Sequence, residues 1–203
     1  MKEYKSPVAA LLWSIMMIGF GQFYNGQYIF GTLLFVFEIA ANGFSSINES
    51  ILHSFHGNSQ QAHDTFNHQW GLFYPSAYAF SIWQAYNKAI IMNCLKEKKD
   101  PPKETYLTAF FISFVIGMNL GIYYHHYFLN EIPSLSFLFS PIFNGLFWGI
   151  IFGFAGHLVE RFYKKKNGEA YMMRLLVSGF QKLLKSFYTL CFSFHLILKQ
   201  NLL

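Results

Sequence analysis

Positive charge sits in three places along this chain, and the long stretches between them carry none. The fifteen Lys and Arg residues fall at Lys2 and Lys5, within residues 88–103, and within residues 161–199. Cations gathered at the ends of uncharged apolar stretches are the mark of juxtamembrane anchors facing cytoplasm and anionic lipid. A nucleic-acid surface would spread them over one face, so the net charge of +5 does not point to nucleic acid. The chain is 53% hydrophobic and 12% charged, about half the charged share of a soluble domain. It has too little polar surface to cover itself in water, and its 203 residues suit one bundle of spans, each about 20 residues long.

The first basic cluster leads into residues 19–31, a Gly-rich stretch between two apolar arms, residues 7–24 and 27–44. Pro7 suits a helix start, where a missing N–H costs nothing. Asn25-Gly26 is a strong turn dipeptide, because both residues tolerate positive φ. Phe23, Tyr24 and Tyr28 flank it as interfacial aromatics would. The residues Gly21, Phe23, Tyr24, Asn25 and Gly26, with Gly31 beyond, resemble the TM-two domain, a two-helix membrane hairpin. The same phrase is similar to the opening of bacterial sugar-transporter permeases. The resemblance covers residues 1–44 and implies a bacterial membrane protein that begins with two spans.

Residues 45–69 read as a polar, His-containing external loop with a short helix over 47–55. Three apolar segments follow at residues 70–91, 107–128 and 137–159, forming a transmembrane region over 70–160. Pro101-Pro102 breaks the lysine-rich linker between the first two. Gly117 and Gly121 lie four apart on one segment, and Gly145, Gly149 and Gly153 on the next. Small residues at that spacing let two backbones approach where lipid supplies no hydrophobic drive, so these helices are expected to pack together. Residues 161–203 form a basic segment in which apolar and polar positions alternate at helical spacing, as in an amphipathic helix on the membrane surface. Cys94 and Cys191 support neither a disulfide framework nor a Cys-rich metal site and read as packing residues.

The expected fold is therefore all-α, a multi-pass bundle of about five spans plus the C-terminal amphipathic helix, in the cell membrane. The positive-inside rule places 88–103 and 161–166 in the cytoplasm. Three apolar segments separate Lys5 from Lys88. Either all three cross and the N-terminus is outside, which the balance of charge favours, or the Gly-rich hairpin crosses once in total.

Histidine is the common transition-metal ligand, and His53, His56, His63 and His68 are spaced so that imidazoles can meet, with His125-His126 reaching the same external face. They define a candidate external metal or pH-sensing site, set against the plainer reading of polar loop residues. Glu38 and His157 are the ionisable residues nearest the apolar core and the candidates for a transport path, with Asn119 and Asn144 as further lining. Anchoring at helix ends is the plainer reading for both. No His-x-x-His-His box, Ser-His-Asp order or phosphate loop stands out, so no enzyme and no cofactor is expected. The function expected is an accessory or interaction role, with the bilayer and other membrane proteins or further copies of the chain as partners and no nucleic acid. A small transporter or channel component and an external metal or pH sensor are the alternatives.

Overall fold

The computed structural model describes residues 4–102, 105–125 and 140–167. Its elements are all helical among the described residues: α1 (Pro7–Met16), α2 (Phe20–Tyr24), α3 (Tyr28–Ser45), α4 (Ile47–Phe55), α5 (Ser59–Thr65), α6 (His68–Gly71), α7 (Tyr74–Lys96), α8 (Thr108–Tyr124) and α9 (Pro141–Asn167). The chain divides into two compact units, Met1–Leu158 and Val159–Leu203. In the second, residues 159–167 are helical and expose Arg161, Phe162 and Tyr163. The expected amphipathic segment beyond residue 167, the loop over 129–136, His126 and Cys191 lie outside the described residues.

The first apolar arm is not a single span. Ser6 caps α1, its side chain accepting the Ala9 N–H at 3.2 Å, and Pro7 opens the helix. The helix stops at Met16 because Met17 is extended and Gly19 has φ 96°. That conformation favours glycine, and a Cβ at Gly19 would also lie 2.5 Å from the Gly31 carbonyl oxygen. The chain then reverses. Tyr24, at the end of α2, accepts the Ser6 N–H on its hydroxyl at 3.0 Å, so α2 runs back beside α1 to the level where α1 began. A Cβ on Gly21 would collide with Ser14 and the Ala10 carbonyl, which is how α2 fits there. Gly26, with φ 79°, turns the chain into α3.

Helix α7 is the post against which these pieces are tied. The Tyr78 hydroxyl donates to the Ile15 carbonyl, and Asn93 bonds both backbone groups of Lys5 at 2.9 and 2.7 Å, so α1 and α7 are antiparallel. Gln22 is fully buried. Its amide donates to the Ser81 carbonyl at 2.9 Å and to Gln84 at 2.8 Å, and it accepts from the Ser81 hydroxyl at 3.1 Å. Asn25 adds a bond to the Ala85 carbonyl at 2.8 Å. Further along, Asn87 accepts the Tyr106 N–H at 2.7 Å and donates to its carbonyl at 3.1 Å, fixing the approach to α8.

Helices α8 and α9 interlock as an antiparallel pair. A Cβ on Gly121 would lie 2.6 Å from the Asn144 carbonyl oxygen, and one on Gly117 2.5 Å from that of Trp148. On the facing helix Gly145 receives Ile122, Gly149 receives Phe114, and Gly153 receives Phe110. Residues 45–69 are folded rather than open: α4 forms over 47–55 as the sequence suggests, and α5 and α6 follow. Ser50 ties α4 to the Ala62 carbonyl at 2.8 Å. Ile47 and Phe66 pack with Met118, Ile122 and Ile142, so α4 and the segment between α5 and α6 close one end of the α8–α9 pair.

Among the described residues, two helical stretches, Tyr28–Ser45 and Pro141–Tyr163, are long and apolar enough to cross a membrane, in place of the five expected. The difference has local causes. Helix α1 is cut to 10 residues by the break at Met17, and α8 is apolar but 17 residues long. Helix α7 has the length, at 23 residues, but carries Gln84, Asn87, Lys88 and Asn93. The two long stretches are also mostly uncovered, with 17% and 28% of their apolar windows buried. The core helix of a water-soluble domain is mostly covered; here Ile29, Leu33, Val36, Ile151 and Phe154 are exposed.

Candidate metal centre

Three histidines from three elements converge where α5, α6 and the end of α8 meet. His63 lies on α5, whose Ala62 carbonyl is bonded to Ser50 of α4. His68 opens α6, and Asn67 sets that start by accepting the Gln69 and Trp70 N–H groups at 3.0 and 3.4 Å. The Asn67 N–H in turn donates to the Ser45 carbonyl at 2.9 Å, anchoring the segment to the end of α3. His125 follows the last turn of α8 and is fully buried. One ligand nitrogen from each of the three lies within 4.8 Å of the others.

The rings are held by packing as well as by backbone. His68 stacks on His125 with centroids 5.7 Å apart and planes 11° apart, meets the His63 ring at 5.2 Å, and takes the edge-on ring of Phe66 at 4.9 Å. The His63 and His125 centroids are 4.8 Å apart. His125 Nδ1 lies 2.5 Å from the Ile122 carbonyl oxygen. A carbonyl accepts, so Nδ1 carries the hydrogen and Nε2 is left with its lone pair. That nitrogen faces His63 Nδ1 at 2.8 Å, so without a metal the pair is joined by an N–H donated from His63.

A ring whose far nitrogen is committed to a backbone carbonyl is the usual state of a metal-bound imidazole, with tautomer and orientation fixed in advance. Three neutral imidazoles suit zinc, copper, nickel or cobalt, and three protein ligands leave a further position for water or another ligand. Binding would shift the His63 hydrogen from Nδ1 to Nε2 and open the 2.8 Å separation to about 3.3 Å, the spacing of two nitrogens on one tetrahedral zinc.

Of the four loop histidines singled out in the sequence, His63 and His68 join this cluster, while His53 and His56 stand at the end of α4 outside it. Asp64, though adjacent to His63, is exposed and accepts from Gln60 at 2.9 Å. Glu38 and His157 are not brought together. Glu38 Oε1 accepts the Tyr74 hydroxyl at 2.7 Å in the first turn of α7. His157 follows Gly156, which abuts Ala109 and Ser113 at the start of α8, the end away from His125. The turn residues Gly21, Phe23, Tyr24, Asn25 and Gly26 hold the reversal between α1 and α3, with Phe23 against Gly31. The most heavily bonded residue of that stretch, Gln22, was not legible as such.

Comparison of the chain with family models, with curated proteins and with solved structures gives no match in any of the three.

Proposed function

We propose that the chain is a multi-pass membrane protein that binds one divalent transition-metal ion through His63, His68 and His125 and acts without catalysis, as an accessory or metal-sensing subunit. The observation that carries this is the three-nitrogen cluster, in which the buried member already has its tautomer set by the Ile122 carbonyl. The sequence left the external sensor as an alternative to a general interaction role; the convergence of His125 on the loop histidines favours it.

The path of the chain supports an arrangement of four crossings, α3, α7, α8 and α9, with the α1–α2 pair entering and returning on one side. Lys5 is bonded to Asn93 in the last turns of α7, beside the second basic cluster. Lys5 and residues 88–103 then both face the cytoplasm, as the positive-inside rule asks, and the histidines face out. The TM-two-like opening serves in this reading as a re-entrant wedge rather than a two-span hairpin.

The test is metal binding by the purified full-length protein in detergent. About one equivalent of Zn²⁺ should bind, and His63→Ala combined with His68→Ala should abolish it. Unchanged zinc binding by that double variant would end the proposal.

A further inference from the structure

The break in α1 opens a second site, independent of the histidines. Between the end of α1, the middle of α3 and the first turns of α7 lies a cavity of about 330 Å³, lined in part by Ile15, Met16, Phe35, Glu38, Tyr74 and Tyr78. Glu38 reaches it from α3, one of the two membrane-length helices. Its Oε1 is engaged by Tyr74, but Oε2 is buried with no hydrogen-bond partner. The Tyr78 hydroxyl is also committed, to the Ile15 carbonyl. A carboxylate oxygen out of water with no donor is costly to keep, and such acids inside membrane helices commonly mark ligand or ion sites.

We propose that this cavity binds a small organic cation of the alkylammonium class, its ammonium on Glu38 Oε2 and its apolar body against Ile15, Met16 and Phe35. Three features select that chemistry. The cavity lies at the C-terminal end of α1, where aligned peptide dipoles add to the negative charge of the carboxylate. The Tyr74 and Tyr78 rings, stacked with centroids 5.8 Å apart, supply aromatic surface of the kind that attracts cations. The volume is at the low end of small-molecule sites, far above what one ion fills.

The experiment uses the full-length protein in detergent, with hexylammonium as the probe and 1-hexanol as its uncharged counterpart. Labelling of Glu38 by a hydrophobic carbodiimide is followed by peptide mass spectrometry, and probe binding by equilibrium dialysis. Hexylammonium should slow labelling about tenfold at concentrations where hexanol does not, and Glu38→Gln should weaken hexylammonium binding about tenfold or more. Equal protection by hexanol, or no protection by either, overturns the proposal and leaves the cavity an apolar groove. So does unchanged binding in Glu38→Gln. If that variant does not fold, labelling of the unaltered protein decides the question. Zinc binding at the histidines is unaffected by either outcome.

Discussion

Asn93 bonds both backbone polar groups of Lys5, accepting its N–H at 2.9 Å and donating to its carbonyl at 2.7 Å. One side chain thereby fixes the start of the chain beside the last turns of α7, where the second basic cluster begins. A two-span opening would have put Lys5 at the opposite end of α7. The reversal at Gly19 instead returns the chain to the end where α1 began, which in the proposed four-crossing arrangement puts Lys5 and residues 88–103 on one side.

The topology that follows is checked with single cysteines in a Cys94 and Cys191 replacement background. Tyr4→Cys and Lys98→Cys should resist a membrane-impermeant thiol reagent applied to intact cells, and His56→Cys should react. Tyr4 and His56 are both exposed, so accessibility of the side chain does not confuse the result. Reaction at residue 4 from outside would sink the four-crossing arrangement.

Gln22 ties α2 to α7 through Ser81 and Gln84 with no access to water. Gln22→Leu keeps the bulk but removes those bonds and leaves the Ser81 hydroxyl and the Gln84 side chain short of a partner. A loss of about 2–3 kcal/mol is expected, because unmade buried hydrogen bonds cost more than made ones return. Ser81→Ala removes less and should cost about 1 kcal/mol. Thermal unfolding in detergent reads both, and a Gln22→Leu variant as stable as the parent would show that the ladder does not hold the wedge.

How far the sequence exposed this fold depends on whether the signal is local. The glycines of α8 and α9 are spaced at helical period, so their pairing was legible from residues 117–153. The helix over 47–55 was legible from composition. The break at Met17 was not, because residues 7–18 carry Ser14 as their one polar side chain and the positive φ just past the break belongs to Gly19, which looks like any turn glycine. Gln22 and Asn93 read as stray polar residues until their partners, some 60 to 90 positions away, are known. His125 stood at the end of an apolar segment, and no spacing rule links it to His63 across 62 residues.

The close contact of α8 and α9 gives a paired prediction. A side chain at position 121 would meet the Asn144 carbonyl oxygen at 2.6 Å and the Gly145 Cα at 2.8 Å, both backbone atoms that cannot turn aside. Gly121→Val should therefore separate the helices and cost about 2 kcal/mol or more. At Gly43 in α3 an added Cβ meets nothing within 4 Å. Gly43→Ala should be neutral or stabilising by about 0.5 kcal/mol, through lower backbone freedom in the unfolded chain. If both substitutions behave alike in a melting experiment, packing at Gly121 is not what holds the pair.

The metal reading separates residues that the sequence alone ranks together. His53 and His56 have the shorter spacing, yet the converging nitrogens belong to His63, His68 and His125. His53→Ala and His56→Ala should leave zinc affinity unchanged, while His125→Ala should lower it about tenfold or more, as loss of one ligand of three demands. Because the metal takes His63 Nδ1, the hydrogen that this nitrogen donates to His125 must move to His63 Nε2, and the ring binds as a neutral imidazole of the other tautomer. The imidazole nitrogen resonances of His63 in an NMR spectrum read that change of tautomer directly. Zinc bound with the His63 tautomer unchanged would place the metal elsewhere, since the 2.8 Å contact between His63 and His125 cannot persist with a metal between the two nitrogens.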